Sequence, residues 1–117
     1  MAEDIKYIDP TPTFSRATVH NGVIYFTGHV DGKKHPTIKE QTKALLERYD
    51  ELFKLYGTDK DHLLMVTIYI SDMSLKKEMN EVYNAWTTPG RSPARVCIES
   101  KIDDGYLLEM SVIAALC

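Results

Sequence analysis

The chain has 117 residues, the size of one ordinary domain, and 44% of them are hydrophobic, which suits a globular core under a polar surface. Its 14 basic and 17 acidic residues give a formal net charge of −3, and no Lys/Arg run is longer than two, which argues against a nucleic-acid partner. Cys97 and Cys117 follow no metal or redox spacing, and there is neither an apolar run of membrane-spanning length nor a basic-then-apolar leader. The expectation is a single domain over residues 1–117, cytoplasmic, with reduced thiols and no membrane partner.

In chain order, Met1 to Pro12 is polar and holds two prolines, so at most a short edge strand around Ile5 to Ile8 is expected. Ser15 to His20 alternates toward Asn21-Gly22, a strong two-residue hairpin signal, and Val23 to Val30 continues as the outgoing strand. The alternation puts Ile24, Phe26 and Val30 on one face, and Tyr25, Thr27 and His29 on the other. Thr37 with Glu40 three residues on has capping-box spacing, and a helix with an apolar stripe should run to about Tyr56, where Gly57 stops it. The run LLMVTIYI reads as a buried strand ending at Ser71-Asp72. A second helix is expected from Ser74 to about Trp86, with Leu75, Met79, Val82 and Trp86 on one stripe.

Ser92-Pro93 breaks the chain before a strand from Ala94 to Ser100, and Asp103-Asp104-Gly105 is a turn signal before another from Tyr106 to Ala115. This pair reads as a β-hairpin. Strands flanking each helix should be parallel neighbours joined by right-handed crossovers, with both helices on the one uniformly apolar face of an α+β fold. The opposite face would mix Tyr25, Thr27, Met65, Tyr69 and Ile113 with Arg95, Cys97, Glu109 and Ser111. Such a patch is too apolar to leave in water, so identical sheets should pack together in a symmetric homo-oligomer, with polar groups lining crevices between subunits.

The segments NGVIYFTGHV, IKEQTKALLERYDELF, VTIYISDM, SPARVCIES and LLEMSVIAA, spanning about Phe14 to Leu116, resemble those of the YjgF/RidA family of imine and enamine deaminases. The resemblance implies a chorismate-mutase-like fold, a homotrimer whose sheets close into a central β-barrel with helices outside, and a pocket at each subunit interface. It implies a cofactor-free hydrolysis of small 2-imino or enamine carboxylic acids to 2-keto acids and ammonia. It further implies that Arg95 binds the carboxylate, that Thr27, Phe14, Asn80 and Cys97 lie around the substrate, and that an acidic residue orders the attacking water. Counted back from the closing strand that acid falls at Ser111, with Glu109 matching an acidic residue two places earlier; the loop at Asp103 to Tyr106 is one residue shorter than is usual. Phe14 stands where tyrosine is frequent and lacks its hydroxyl.

Each residue also has a plainer role. Arg95 would otherwise form an ion pair with Glu99 or Glu109, and Glu109 a pair across the sheet; Cys97 reads as a small buried hydrophobe with no histidine placed to activate it. The four histidines form no ligand pair at helical or strand spacing, and the zinc-deaminase signature is absent, so no metal is expected at the site. The alternatives to deamination are a protein that captures a 2-keto carboxylate without turning it over, and an endoribonuclease or translation inhibitor, which the acidic charge disfavours.

Overall fold

In the computed structural model, which describes residues 4–103 and 105–117, six strands and two α-helices make a two-layer α+β fold. The elements are β1 (Lys6–Pro10), β2 (Ser15–His20), β3 (Val23–Phe26), α1 (Ile38–Tyr56), β4 (Leu63–Ile70), α2 (Lys76–Trp86), β5 (Ala94–Glu99) and β6 (Leu108–Ala115). No described helix is long and apolar enough to cross a membrane. Local chemistry fixes several boundaries where the sequence places them. Asn21 and Gly22 both have positive φ, 50° and 76°, as a tight β2–β3 hairpin turn requires. The Thr37 hydroxyl accepts the Glu40 N–H at 3.1 Å to cap α1, and Gly57 ends it in the left-handed region at φ 87°. Before α2, Asp72 caps a 3-10 turn at Met73–Leu75, so the α-helix begins at Lys76, two residues later than expected.

The sheet order is β1-β2-β3-β6-β4-β5, antiparallel throughout except for the parallel pair β4/β5. The expected hairpin between β5 and β6 is therefore corrected: β4 lies between them. The end of β4 shows this directly, since Ser100 N–H donates to Ile70 O and Leu107 O accepts from Ser71 N–H, both at 2.9 Å. Residues 100–107 thus pass over the end of one strand. The turn signal is real but local, with Gly105 at φ 86° and the Tyr106 N–H donating to Asp103 O; Asp104 lies outside the described residues. The reason is the competition for β4. A right-handed β4–α2–β5 crossover takes one edge of that strand, and the more apolar β6 takes the other, where both of its sides are covered. Likewise β3 and β4, which flank α1, run parallel but are not neighbours, because β6 separates them.

Both helices cover one face, as the alternation implies. Ile24, Phe26, Val66, Ile68, Leu108, Met110 and Val112 of the sheet meet Leu45, Tyr49 and Phe53 of α1 and Met79 of α2 in one core. Each such side chain contributes about 1.5–3 kcal/mol on leaving water, more than any single turn hydrogen bond, so this layer decides the sheet order. Two side assignments are corrected by register. Arg95 and Cys97 stand beside Val66 and Ile68, which are buried under the helices, so they point to the helix side. Val96 and Ile98 face the open side instead, 39% and 43% exposed. Polarity had pointed the other way, but parallel pairing with β4 governs.

His29 also changes sides. Tyr25 pairs with Ile113, so a regular ladder would place Gly28 opposite Met110, yet His29 is the residue that bridges Met110. One extra residue in the Thr27–Gly28 segment is a β-bulge, and it reverses the alternation beyond it. The imidazole is consequently buried against Phe26 and Tyr49, with Nδ1 2.8 Å from Thr27 O. Tyr49 donates to Met110 O at 2.8 Å from within the same cluster. Burial holds the His29 pKa below its ordinary value of 6.5, partly offset by the hydrogen bond with Thr27.

Gln41, almost wholly buried, joins two distant loops: its amide nitrogen donates to His35 O at 2.9 Å and Gly105 O at 3.0 Å, and its oxygen accepts from Leu107 N–H at 2.7 Å. Gln41→Leu keeps the bulk but strands these backbone groups, and urea denaturation should show a loss of about 2–4 kcal/mol. A loss under about 0.5 kcal/mol would show the staple to be dispensable. For His29, a folded pKa below the unfolded one means that stability is full above about pH 6.5 and falls as pH drops toward the folded value. His29→Gln should flatten the change in urea midpoint between about pH 7.5 and 5.5, and an unchanged slope would place the titration elsewhere.

Candidate functional site

The candidate residues fall into two groups on different parts of the sheet. Phe14 and Thr27 line a cavity of about 290 Å³ together with Asp9, Thr11, Arg16, His29 and Arg48. Phe14 is presented by a turn in which Thr11 Oγ1 accepts the Phe14 N–H at 3.1 Å, and its ring is 60% exposed at the mouth. The bulge brings Thr27 and Gly28 beside β6. There the Glu109 carboxylate lies so close over Gly28 that a methyl group at that position would collide with Glu109 Oε2. Gly28 is thus the residue that admits the carboxylate beside Thr27. Ser111 sits two residues along the same open face, opposite Thr67.

Arg16 and Arg48 give this cavity a cationic wall that the residue pattern did not single out. Arg16 Nε is 3.0 Å from Asp9 Oδ2, and Arg48 Nη1 is 3.9 Å from Asp31 Oδ2. Arg48 Nε is buried without a hydrogen-bond partner among the described residues. Its place was readable: Gln41, Leu45, Arg48 and Leu52 fall at spacings of four, three and four, so Arg48 sits at the edge of the packed stripe, with Nε buried and the rest of the side chain half-exposed.

The second group is on the edge strand. Arg95 crosses under α2 with Nη1 donating to Asn80 Oδ1 at 2.7 Å and its guanidinium 4.9 Å from the centroid of the Tyr83 ring. The expected ion pair with Glu99 or Glu109 is not formed; Glu99 instead accepts the Met73 N–H at 2.7 Å. Cys97, half-buried, packs against the core. Burial raises the Tyr83 pKa, and the neighbouring Arg95 charge acts against that rise, so the phenol stays protonated under the guanidinium. A cation stacked on a ring and hydrogen-bonded to a neutral amide keeps its full charge and further N–H donors for an anion.

Within one chain the two groups do not meet. Thr27 follows β3 and Arg95 lies on β5, with β6 and β4 between, three strand spacings or about 14 Å. The sheet therefore carries a carboxylate and hydroxyl half near β3 and a guanidinium half at the opposite edge. Neither half brings three metal-donor side chains together among the described residues. A larger cavity of about 470 Å³ lies on the outer face between α1 and α2, lined mainly by Leu46, Val82, Ala85 and Trp86 and bridged by the 2.7 Å Lys39–Glu81 ion pair. Its floor is apolar and its charged residues are exposed, Lys39 and Glu81 paired with each other, so it reads as a helix-packing groove.

Comparison with known proteins follows the same outline. Residues 5–116 match the family model described as Endoribonuclease L-PSP. A RutC family protein of Haemophilus ducreyi is 32% identical over 113 residues, covering 96% of this chain and 97% of that protein. One from Pyrococcus abyssi is 36% identical, covering 97% and 98%. Among solved structures, a member of the YjgF protein family from Neisseria meningitidis superposes with a TM-score of 0.89 at 37% identity, covering 97% of this chain and 96% of the other. A Rid-family protein from Yersinia pestis gives 0.85 at 25%, covering 97% and 100%. Fold, length and sequence agree along nearly the whole chain, which belongs to the YjgF/RidA/RutC family.

Proposed function

We propose that this chain hydrolyses small 2-imino or enamine carboxylic acids to 2-keto acids and ammonia, in pockets formed where the two halves of the site meet across subunits of a homotrimer. The observation that carries the reading is the Arg95 guanidinium, held by Asn80 and Tyr83 on an edge strand, unpaired with any carboxylate among the described residues. A planar guanidinium takes a carboxylate by two parallel hydrogen bonds and so fixes the adjacent C=N carbon for attack. The cavity half supplies what must face that carbon. Thr27 offers a hydroxyl, and Glu109, beside it over Gly28, is the group able to accept a proton from the attacking water and return it to the departing nitrogen. Ser111 on the same face has no comparable acidity and serves in hydrogen bonding. Cys97 packs at the pocket wall, and the apolar ring of Phe14 covers the substrate's alkyl end.

Assembly is supported by the open face of the sheet. Tyr25, Val96 and Ile98 are 43%, 39% and 43% exposed there, alongside Met65, Tyr69 and Ile113, and no layer of the described residues covers them. The threefold count comes from the family resemblance. Capture of a 2-keto acid without turnover would use the same Arg95 contact, and the two readings part on catalysis alone.

The test couples the purified protein to a dehydratase that releases the imine from serine or threonine, with semicarbazide competing for it. Decay should be faster than in buffer, and Arg95→Ala should lower the rate by about 10–100-fold or more, the loss of a charge-assisted pair. Unaccelerated decay with retained, Arg95-dependent 2-ketobutyrate binding would establish the capture reading instead, and a monomer by light scattering would remove the shared pocket. Gly28→Ala should displace the Glu109 carboxylate and lower kcat while leaving the unfolding free energy within about 0.5 kcal/mol of the parent, because the clash is with the mobile end of a side chain. Unchanged kcat would take Glu109 out of the proton transfer.

A further inference from the structure

Three donors of three kinds meet at a point that shares no residue with either half of the carboxylate site. Asp59 caps the 3-10 turn Lys60–His62, its Oδ1 accepting the Asp61 N–H at 2.9 Å and lying 2.7 Å from His62 Nδ1. Cys117 is brought to this turn by the backbone: Leu116 N–H donates to Gly22 O and Cys117 N–H to Gly57 O, each at 2.9 Å. The Thr58 hydroxyl donates to Ala115 O at 2.7 Å, tying the turn to the end of β6 from its own side. The thiol sulphur consequently lies 3.6 Å from His62 Nδ1 and 4.0 Å from Asp59 Oδ2. All three ligand atoms are within 4.8 Å of one another, with His62 half-buried and the other two open to solvent.

An Asp–His hydrogen bond accounts for two of these groups, while the sulphur reaches them only by long contacts of 3.6 and 4.0 Å. A tetrahedral ion would take all three. With a metal–sulphur bond of about 2.3 Å and metal–nitrogen and metal–oxygen bonds of about 2.0 Å, the edges between ligand atoms are about 3.3–3.6 Å. The S–N edge already has that length; Asp59 faces the imidazole through Oδ1 at 2.7 Å and the sulphur through Oδ2 at 4.0 Å, so its exposed side chain must rotate to offer one oxygen at that spacing to both. We propose that Asp59, His62 and Cys117 form a three-ligand site for a zinc-class divalent cation, with the fourth position open to solvent. The donor set of thiolate, imidazole and carboxylate selects a borderline-soft ion over magnesium or calcium, which take oxygen ligands. Binding requires the thiolate and a bare Nδ1, so the thiol proton and the one shared between His62 and Asp59 leave as the ion enters, and affinity rises with pH. Searching for histidine pairs at helical or strand spacing misses the site, because its ligands are a 3-10 turn and a residue 55 positions away.

The test is a titration of the reduced protein with Co²⁺, followed by competition with Zn²⁺. One equivalent should bind per chain and give a near-ultraviolet thiolate-to-cobalt charge-transfer band, which Zn²⁺ displaces. Cys117→Ser should abolish the band, and Asp59→Asn, which keeps the cap of the turn, should weaken binding by more than the roughly 10–100-fold that loss of a mere supporting contact costs. Circular dichroism of both variants should match the parent, since both side chains are exposed. Absence of the charge-transfer band, or equal Co²⁺ affinity in the parent and Cys117→Ser, overturns the proposal.

Discussion

The approach to the last strand is held in place by one buried amide. Gln41, on the second turn of α1, holds the carbonyl of Gly105 and the N–H of Leu107 in the same grip as the carbonyl of His35. Those bonds hold the chain as it passes the end of β4 toward the gap beside β3, where the apolar layer keeps β6 as a central strand. Most of the functional geometry descends from that insertion. It sets Met110 opposite His29, creates the bulge, and lowers Glu109 onto Gly28. A polar side chain that is 1% exposed carries this load because each of its bonds is made in a dry setting, where a missing partner is costly.

The insertion also explains why the chemistry is divided. β6 and β4 separate the guanidinium from the carboxylate, and no movement within a single rigid sheet closes a gap of that size. What one chain cannot join, a second chain can, provided that its sheet edge approaches the first. The uncovered face, with Tyr25, Val96 and Ile98 in contact with water, is the surface that such an approach would bury. In the proposed trimer Arg95 would be prepared for this role by its own strand. Its aliphatic stem runs along the helix side while the charged head rests on Tyr83 and Asn80, a way of holding a cation at a boundary without neutralising it.

Much of this was legible in the sequence, and the exceptions share a cause. The caps at Thr37 and Gly57, the Asn21-Gly22 turn and the single apolar face are local signals, written in a few adjacent residues. So was the recurrence of Arg95, Cys97 and Glu99 on a common side of β5. The choice of which side faces the helices was not, because it depends on pairing with β4, a partner more than twenty residues away. The supposed β5–β6 hairpin failed similarly: a turn motif reports that the chain bends, not how many strands it crosses. Arg48 went unnoticed for a different reason: its charge hides that its helical spacing with Gln41, Leu45 and Leu52 sets it at the edge of the packed stripe.

The single extra residue between Phe26 and His29 works as a phase shift along the strand. Removing it would restore strict alternation, turn the imidazole out to the uncovered face and leave a hole beside Tyr49, while Thr27 and Gly28 lost their place next to Glu109. The overall composition would hardly change. This short segment is therefore constrained by its length more tightly than by the identity of most of its side chains, and insertions or deletions there do damage that substitutions do not.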